Sequence, residues 1–182
     1  MQKLKVIYED NHIIVVEKTP NIPSQVDKTG DTDMLSLVKS YIKEKYNKPG
    51  NVYLGLVHRL DRPVGGIMIF AKTSKAASRL SNQVREKIFK KKYLAVVEGK
   101  FEKEEGTLEN YLAKNTKTNT SKIVNKSNKE AKLAKLDYKV LSYDKQENLS
   151  LVEVNLHTGR HHQIRVQLAN IGHSLYGDQK YG

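Results

Sequence analysis

Residues 56–66 read LVHRLDRPVGG, which sets Asp61 between Arg59 and Arg62, close to His58, with Pro63 and Gly65-Gly66 just after. Guanidiniums beside a carboxylate favour its ionised form, so an acid in this setting suits a nucleophile or a base better than a proton donor. Pro63 and the glycines allow a sharp turn that would leave the side chain at the lip of a sheet. A solvated surface turn with a structural ion pair would use the same residues. This segment alone leaves both readings open.

A second cluster is LHTGRHHQIRVQLANIGH, residues 156–173. Thr158-Gly159 makes a turn after a strand, and a helix from about His161 to Asn170 would end at Gly172. On that helix His161, Arg165 and Leu168 share one face, so Arg165 can point back toward the sheet. His157 and His161 have a zinc-like spacing with His162 beside them, but Gly159 interrupts the helix and no carboxylate is near, so a metal site is not expected. Arg160, His161, His162 and Arg165 suit RNA or phosphate contact better, because backbone donors at a helix start also point at anions. The third cluster is REKIFKKKYLAVVEG, residues 85–99, in which Arg85, Lys87, Lys90, Lys91 and Lys92 form a basic edge ahead of Tyr93. A ring among cations fits stacking on an exposed base. It equally fits a core ring beside a solvated face.

The elements that must position these clusters follow from patterning. Leu4–Tyr8 and His12–Glu17 are β-rich runs around Glu9-Asp10-Asn11, which predicts a hairpin. Residues 18–32 carry Pro20, Pro23 and Gly30 and read as loop. Asp31 or Thr32 would cap a helix reaching Lys45, with Leu35, Val38 and Ile42 on its buried face. Strands over 53–57 and 67–71 flank the Asp61 segment. Thr73 or Ser74 would cap a second helix burying Ala77, Leu80, Val84 and Ile88. Tyr93–Glu98 reads as a strand, 114–130 as a mobile lysine-rich loop, and 133–142 and 149–156 as alternating strands. Short connections favour antiparallel pairing, so the class is α+β, a mixed and mostly antiparallel sheet with flanking helices.

The chain has 182 residues and a net charge of +12, and it lacks cysteine. Its mean hydropathy is −0.62. That length suits one domain with a real core, and the charge favours a polyanion, nucleic acid first. Without cysteine there is no disulfide, thiol nucleophile or Cys-ligated zinc. No run approaches the roughly 18 apolar residues of a membrane span, and Glu9-Asp10 arrive too soon for a signal peptide. A cytoplasmic, metal-free and cofactor-free protein is expected, with no membrane or protein partner and a monomeric state.

Taken together, the clusters resemble a family. HRLDRPVGG resembles the HRLDxxTSG motif of the RluA-type pseudouridine synthases. KKYLAVVEG is similar to their K-x-Y-x-A-x-V-x-G strand, and LHTGRHHQIRVQLANIGHSLYGDQKYG to their TGRxHQIR…GHPIxGDxxYG block. EKTPNIPSQ resembles their opening N-K-P-x-G-x-P-V segment. The resemblance runs along essentially the whole chain in order. It implies a pseudouridine synthase fold with a catalytic cleft across one face of the sheet, and Asp61 as the catalytic aspartate. It further implies Tyr93 against the target uracil, Arg165 paired with the Asp61 carboxylate, and Arg59 filling the RNA stack where the uridine leaves. Arg62, Arg160 and His162 are expected at the RNA.

The implied activity is isomerisation of a uridine in structured rRNA or tRNA. The alternative is a non-catalytic RNA-binding or ribosome-assembly protein that keeps the fold. Three departures stand out. Val64 and Gly65 replace the family's Thr and Ser, which removes hydroxyl contacts expected to support the Asp61 loop. Ser174 replaces the usual Pro. A single catalytic domain over 1–182 is expected, with no S4-type module ahead of the hairpin, and the chain stops where such enzymes continue with a strand and helix.

Overall fold

The structure, a computed structural model, describes residues 4–182. The chain forms two compact units, Met1–Phe89 and Lys90–Gly182, each built on one sheet in which every strand pairing is antiparallel. The α+β class stands, with the strands divided between two sheets.

In the first unit β1 (Lys5–Glu9) and β2 (Ile13–Lys18) form the expected hairpin. Asp10 makes the turn, because its carboxylate accepts from the N–H groups of His12 and Ile13, both at 2.7 Å. β3 (Gly55–Leu56) and β4 (Gly66–Ala71) complete the order β1-β2-β4-β3. The strand expected over 53–57 pairs only at Gly55 and Leu56. Helix α1 (Met34–Lys45) is capped by Asp33, not by Asp31 or Thr32: Asp33 accepts from the Ser36 N–H at 3.2 Å. Asp31 is drawn instead to the Arg62 guanidinium. Met34, Val38 and Ile42 of α1 pack with Ile14, Val16, Met68 and Phe70 from β2 and β4, and Leu35 only borders this core. Helix α2 (Ser74–Arg85) starts on the Thr73 hydroxyl, which accepts from the Ala76 N–H. Ile88 lies past its end, beyond Lys87 at φ 60°, and is exposed rather than buried.

The second unit carries β5 (Lys91–Glu98), β6 (Glu105–Asn115), β7 (Thr120–Val124), β8 (Lys132–Asp144) and β9 (Leu149–Leu156), in the order β5-β9-β8-β6-β7. Helix α3 (Gln163–Asn170) lays Leu168 on Ala95, Val97, Leu136, Val152 and Val154 of one sheet face. The mobile loop expected over 114–130 is mostly a hairpin: β6 and β7 pair from Tyr111↔Val124 to Asn115↔Thr120. Its turn is local chemistry, since the Asn115 side chain accepts from the Lys117 and Thr118 N–H groups and Asn119 takes φ 49°. Lysines spaced along a strand can stay in water while the backbone pairs, so polarity did not prevent a strand here.

Candidate active site

Asp61 sits on an irregular segment between β3 and β4 whose backbone is held at several points. The Val64 N–H donates to the Asp61 carbonyl at 3.0 Å, closing a turn, and the Asn21 N–H donates to the Arg62 carbonyl at 2.8 Å. The Ser24 hydroxyl donates to the Leu60 carbonyl at 2.7 Å and accepts from the Leu60 N–H at 3.1 Å. His58 accepts from the Ile69 N–H on Nε2 at 3.1 Å, which leaves its proton on Nδ1 and pins the loop entrance to β4. A neutral imidazole can make that contact; an imidazolium cannot.

The decisive support is Lys18, the last residue of β2. Its side chain is fully buried, with 0% exposure. The ammonium donates to the carbonyls of Arg62 at 2.9 Å and Val64 at 2.5 Å, with Thr19 at 3.3 Å. Burial pushes its pKa down to about 8, the Asp61 carboxylate opposes that shift, and Arg62 adds to it. At neutral pH the loop therefore rests on a buried cation whose charge is felt at Asp61. This also answers the missing hydroxyls. Val64 contributes its carbonyl rather than a side chain, and Gly65 lies so close to Pro20 that a Cβ would stand 3.2 Å from the ring Cδ.

Lys18→Met should lower stability at pH 7 by about 2 kcal/mol, because the Thr19, Arg62 and Val64 carbonyls lose their donor while one buried charge is removed. The pH dependence has a definite sign. Between about pH 8 and the unfolded value of 10.5 the unfolded chain holds the Lys18 proton and the folded chain does not, so this group adds stability as pH rises. Wild type should gain up to about 3 kcal/mol on Lys18→Met across that window. Urea titrations at pH 7.5 and 10 check it; a difference that stays flat or narrows contradicts a charged buried Lys18.

The two arginines flanking Asp61 diverge. Arg62 turns to the 27–31 loop, pairing with Asp31, reaching the Thr29 hydroxyl at 3.0 Å and Asp27 at 3.7 Å. Arg59 is exposed.

In the second unit Tyr93 lies on β5 opposite Val154, half-buried against the core that includes Ala95 and Val97. The TGRHHQIR segment is organised by Gln163. Its amide oxygen accepts from the Thr158 hydroxyl at 2.8 Å and the Arg160 N–H at 3.0 Å, and its amide nitrogen donates to the Lys135 carbonyl at 3.1 Å. The helix begins at Gln163, two residues later than expected, because His162 is in the left-handed region at φ 53° and serves as the cap residue. The three histidines take separate partners: Asp137 for His157, Ser121 and Asn119 for His161, and the Tyr181 hydroxyl for His162. His162 is buried against His161, and that burial together with the charges of His161, Arg165 and Lys180 pushes its pKa down to about 3. It is a neutral ring at physiological pH. Arg165 makes a two-pronged ion pair with Asp178, at 2.7 and 2.5 Å, and its guanidinium lies 5.0 Å from the centre of the Tyr181 ring. Among the described residues no group of three or more His, Asp or Glu converges as metal ligands would.

Residues 12–170 match the model of a family described as RNA pseudouridylate synthase. The chain belongs to that family. It is 34% identical over 180 residues to an uncharacterized RNA pseudouridine synthase, YhcT, of Bacillus subtilis (strain 168), covering 99% of this chain and 58% of the relative. It is also 34% identical over 177 residues to ribosomal large subunit pseudouridine synthase C of Rickettsia prowazekii (strain Madrid E), covering 97% of this chain and 56% of that protein. The chain thus spans well under two thirds of the length of these relatives. The solved structure of human RNA pseudouridylate synthase domain containing 4 superposes with a TM-score of 0.82 at 23% identity, covering 98% of this chain and 69% of that one, which shows a shared fold.

The family's motifs therefore have structural content that sequence reading did not assign. Lys18, Ser24, Gln163, Asp178 and Tyr181 hold the motif backbones or charges in place, although the sequence shows only that they lie in or near the quoted blocks. Their partners include residues 13 to 60 positions away along the chain. No local pattern could have supplied those long-range pairs.

Proposed function

We propose that this protein is an RNA pseudouridine synthase that isomerises a uridine in structured rRNA or tRNA, with Asp61 as the nucleophile. The observation that supports this best is the Asp61 loop itself, clamped through its backbone by a buried lysine in a chain of this family. Several tethers around a half-buried carboxylate prepare it for chemistry at small reorganisation cost. In the reaction the ribose C1′–N1 bond breaks, the base turns, and a C1′–C5 bond forms. N1 gains a proton and C5 loses one, so product and substrate are isomers. A carboxylate that adds and leaves again divides that change into easier steps. We assign Tyr93 to contact with the uracil and Arg165 to the same reaction. Arg59 takes the place vacated by the extruded base, and Arg62, Arg160 and His162 shape the RNA-facing surface. The reading needs no cofactor, operates on cytoplasmic RNA, and treats residues 1–182 as one monomeric catalytic domain.

The direct test incubates purified protein with unmodified tRNA and rRNA transcripts and sequences the products for pseudouridine. Conversion of one or a few defined uridines is expected, and a protein that binds these RNAs yet converts none contradicts the assignment. Affinity should also fall steeply with salt. With a net charge of +12, we expect the logarithm of the binding constant to fall with the logarithm of salt with a slope of about −3 or steeper, the signature of several released counterions. Binding that hardly changes between 50 and 200 mM salt removes the electrostatic account, those concentrations being the range over which phosphate contacts are read.

A further inference from the structure

Lys91 opens β5 two residues before Tyr93 and stands opposite Leu156 in the register. Residues two apart on a strand share a face, about 6.7 Å apart along it. The Lys91 side chain is therefore on the same side as the Tyr93 ring. It is half-buried, and among the described residues its ammonium has no carboxylate within ion-pair distance and no hydrogen-bond acceptor. Its neighbours are of the wrong sign. A Cβ built on Gly159 would stand 3.0 Å from the Lys91 nitrogen, so the ammonium lies directly against the Thr158-Gly159-Arg160 turn. Burial and the Arg160 guanidinium both push the Lys91 pKa down. Arg160 spends its Nε–H on the Leu133 carbonyl at 2.8 Å and is otherwise exposed. Gln163 fixes the turn that carries it.

Two cations have thus been set side by side, one of them partly out of water, with no acid to compensate. Such an arrangement costs stability unless an anion completes it. We propose that Lys91, the turn at Gly159 and Arg160 form a binding site for one RNA phosphate, that of the nucleotide whose base lies against Tyr93 or of its immediate neighbour. Gly159 leaves the room that a side chain would take from the ammonium. The inference rests on the synthase reading for its ligand, and it extends that reading from the base to the backbone.

The test separates the two, because it measures binding without turnover. Equilibrium titrations use wild type, Lys91→Met and Lys91→Arg with a stem-loop RNA known to bind the protein, at several salt concentrations. Lys91→Met should bind about tenfold more weakly with a salt slope smaller by about one, and Lys91→Arg should recover most of the affinity. Lys91→Met should also be as stable as wild type or more so in urea, since a half-buried charge beside another cation is gone. A lysine with a merely structural role gives the opposite result, lower stability with unchanged salt slope, and that overturns the proposal. Neutral methylphosphonate linkages placed singly around the bound uridine identify the phosphate. One position should weaken wild type tenfold and leave Lys91→Met unaffected, and equal losses in both proteins at every position also overturn it. If the phosphate site is found but no uridine is converted, the synthase reading fails and this one stands.

Discussion

Asp61→Asn is expected to abolish pseudouridine formation, by at least about 10⁴-fold in single-turnover rate, on the scale at which a catalytic nucleophile acts. Asn matches the shape of Asp, so the loop should keep the backbone tethers it makes through the carbonyls of Leu60, Asp61, Arg62 and Val64. Thermal stability should shift little. The Lys18 pKa should fall further below about 8 once the opposing negative charge is removed. RNA affinity should hold or rise, since a negative charge has left a basic surface. The measurement is single-turnover conversion at saturating protein, paired with a binding titration on the same RNA. Asn variants of some carboxylates deamidate slowly to Asp, so Asp61→Ala serves as the control. Turnover by Asp61→Ala within a hundredfold of wild type, well inside that scale, rules out the nucleophile assignment.

The second large effect concerns Asp178. Its side chain is 3% exposed and that of Arg165 14%, and the two share a bidentate contact. Burial by itself would raise the Asp178 pKa, but the Arg165 guanidinium and the Lys180 and Tyr181 N–H groups outweigh it and lower the value. Asp178→Ala removes the bidentate carboxylate partner of a largely buried guanidinium, and should cost about 3–5 kcal/mol. Asp178→Asn keeps one hydrogen bond and should lie between the two. Because the folded pKa lies below the unfolded one, the stabilisation is complete above the unfolded carboxylate value and is lost as pH falls through the folded value. Wild type and variant should therefore converge in strong acid. Arg165 also loses a two-pronged contact that orients it, so turnover should fall at temperatures where the variant is fully folded. Urea unfolding at pH 7 and pH 3 provides the check. A cost below about 1 kcal/mol at pH 7, the size of an exposed pair, shows that water already compensates this arginine.

Much of the fold was legible because it is written locally. The Glu9-Asp10-Asn11 turn, the strands at both sides of it, the α1 stripe of Val38 and Ile42 and the Thr73 cap all depend on residues within a turn or two of one another. The errors arose where local signals competed. The cap expected at Asp31 or Thr32 falls at Asp33, while Arg62, 31 residues away from Asp31, holds the Asp31 carboxylate. The 114–130 segment looked unstructured because its five lysines mask a strand whose only half-buried apolar residues are Ile123 and Val124. Its stability as β7 comes from pairing with β6 and from the Ser121 N–H donating to the Tyr181 hydroxyl.

By itself the sequence determined the chemistry-bearing residues and their order: an acid among arginines, a tyrosine behind lysines, a TGRHHQIR turn into a helix, and a charge suited to RNA. Types and spacings of this kind are properties of neighbours along the chain, and they were enough to indicate the family. Only the tertiary structure decided what holds each of them. Lys18 enters beneath the Asp61 loop from β2, Gln163 reaches the Lys135 carbonyl, and Asp178 captures Arg165. The tertiary structure also set Lys91 beside Arg160 without an acid. The physical reason is that burial decides these partnerships. A charged or polar group exposed on a strand needs no partner, but the same group taken out of water must find one, and the fold alone determines which residue is there to meet it.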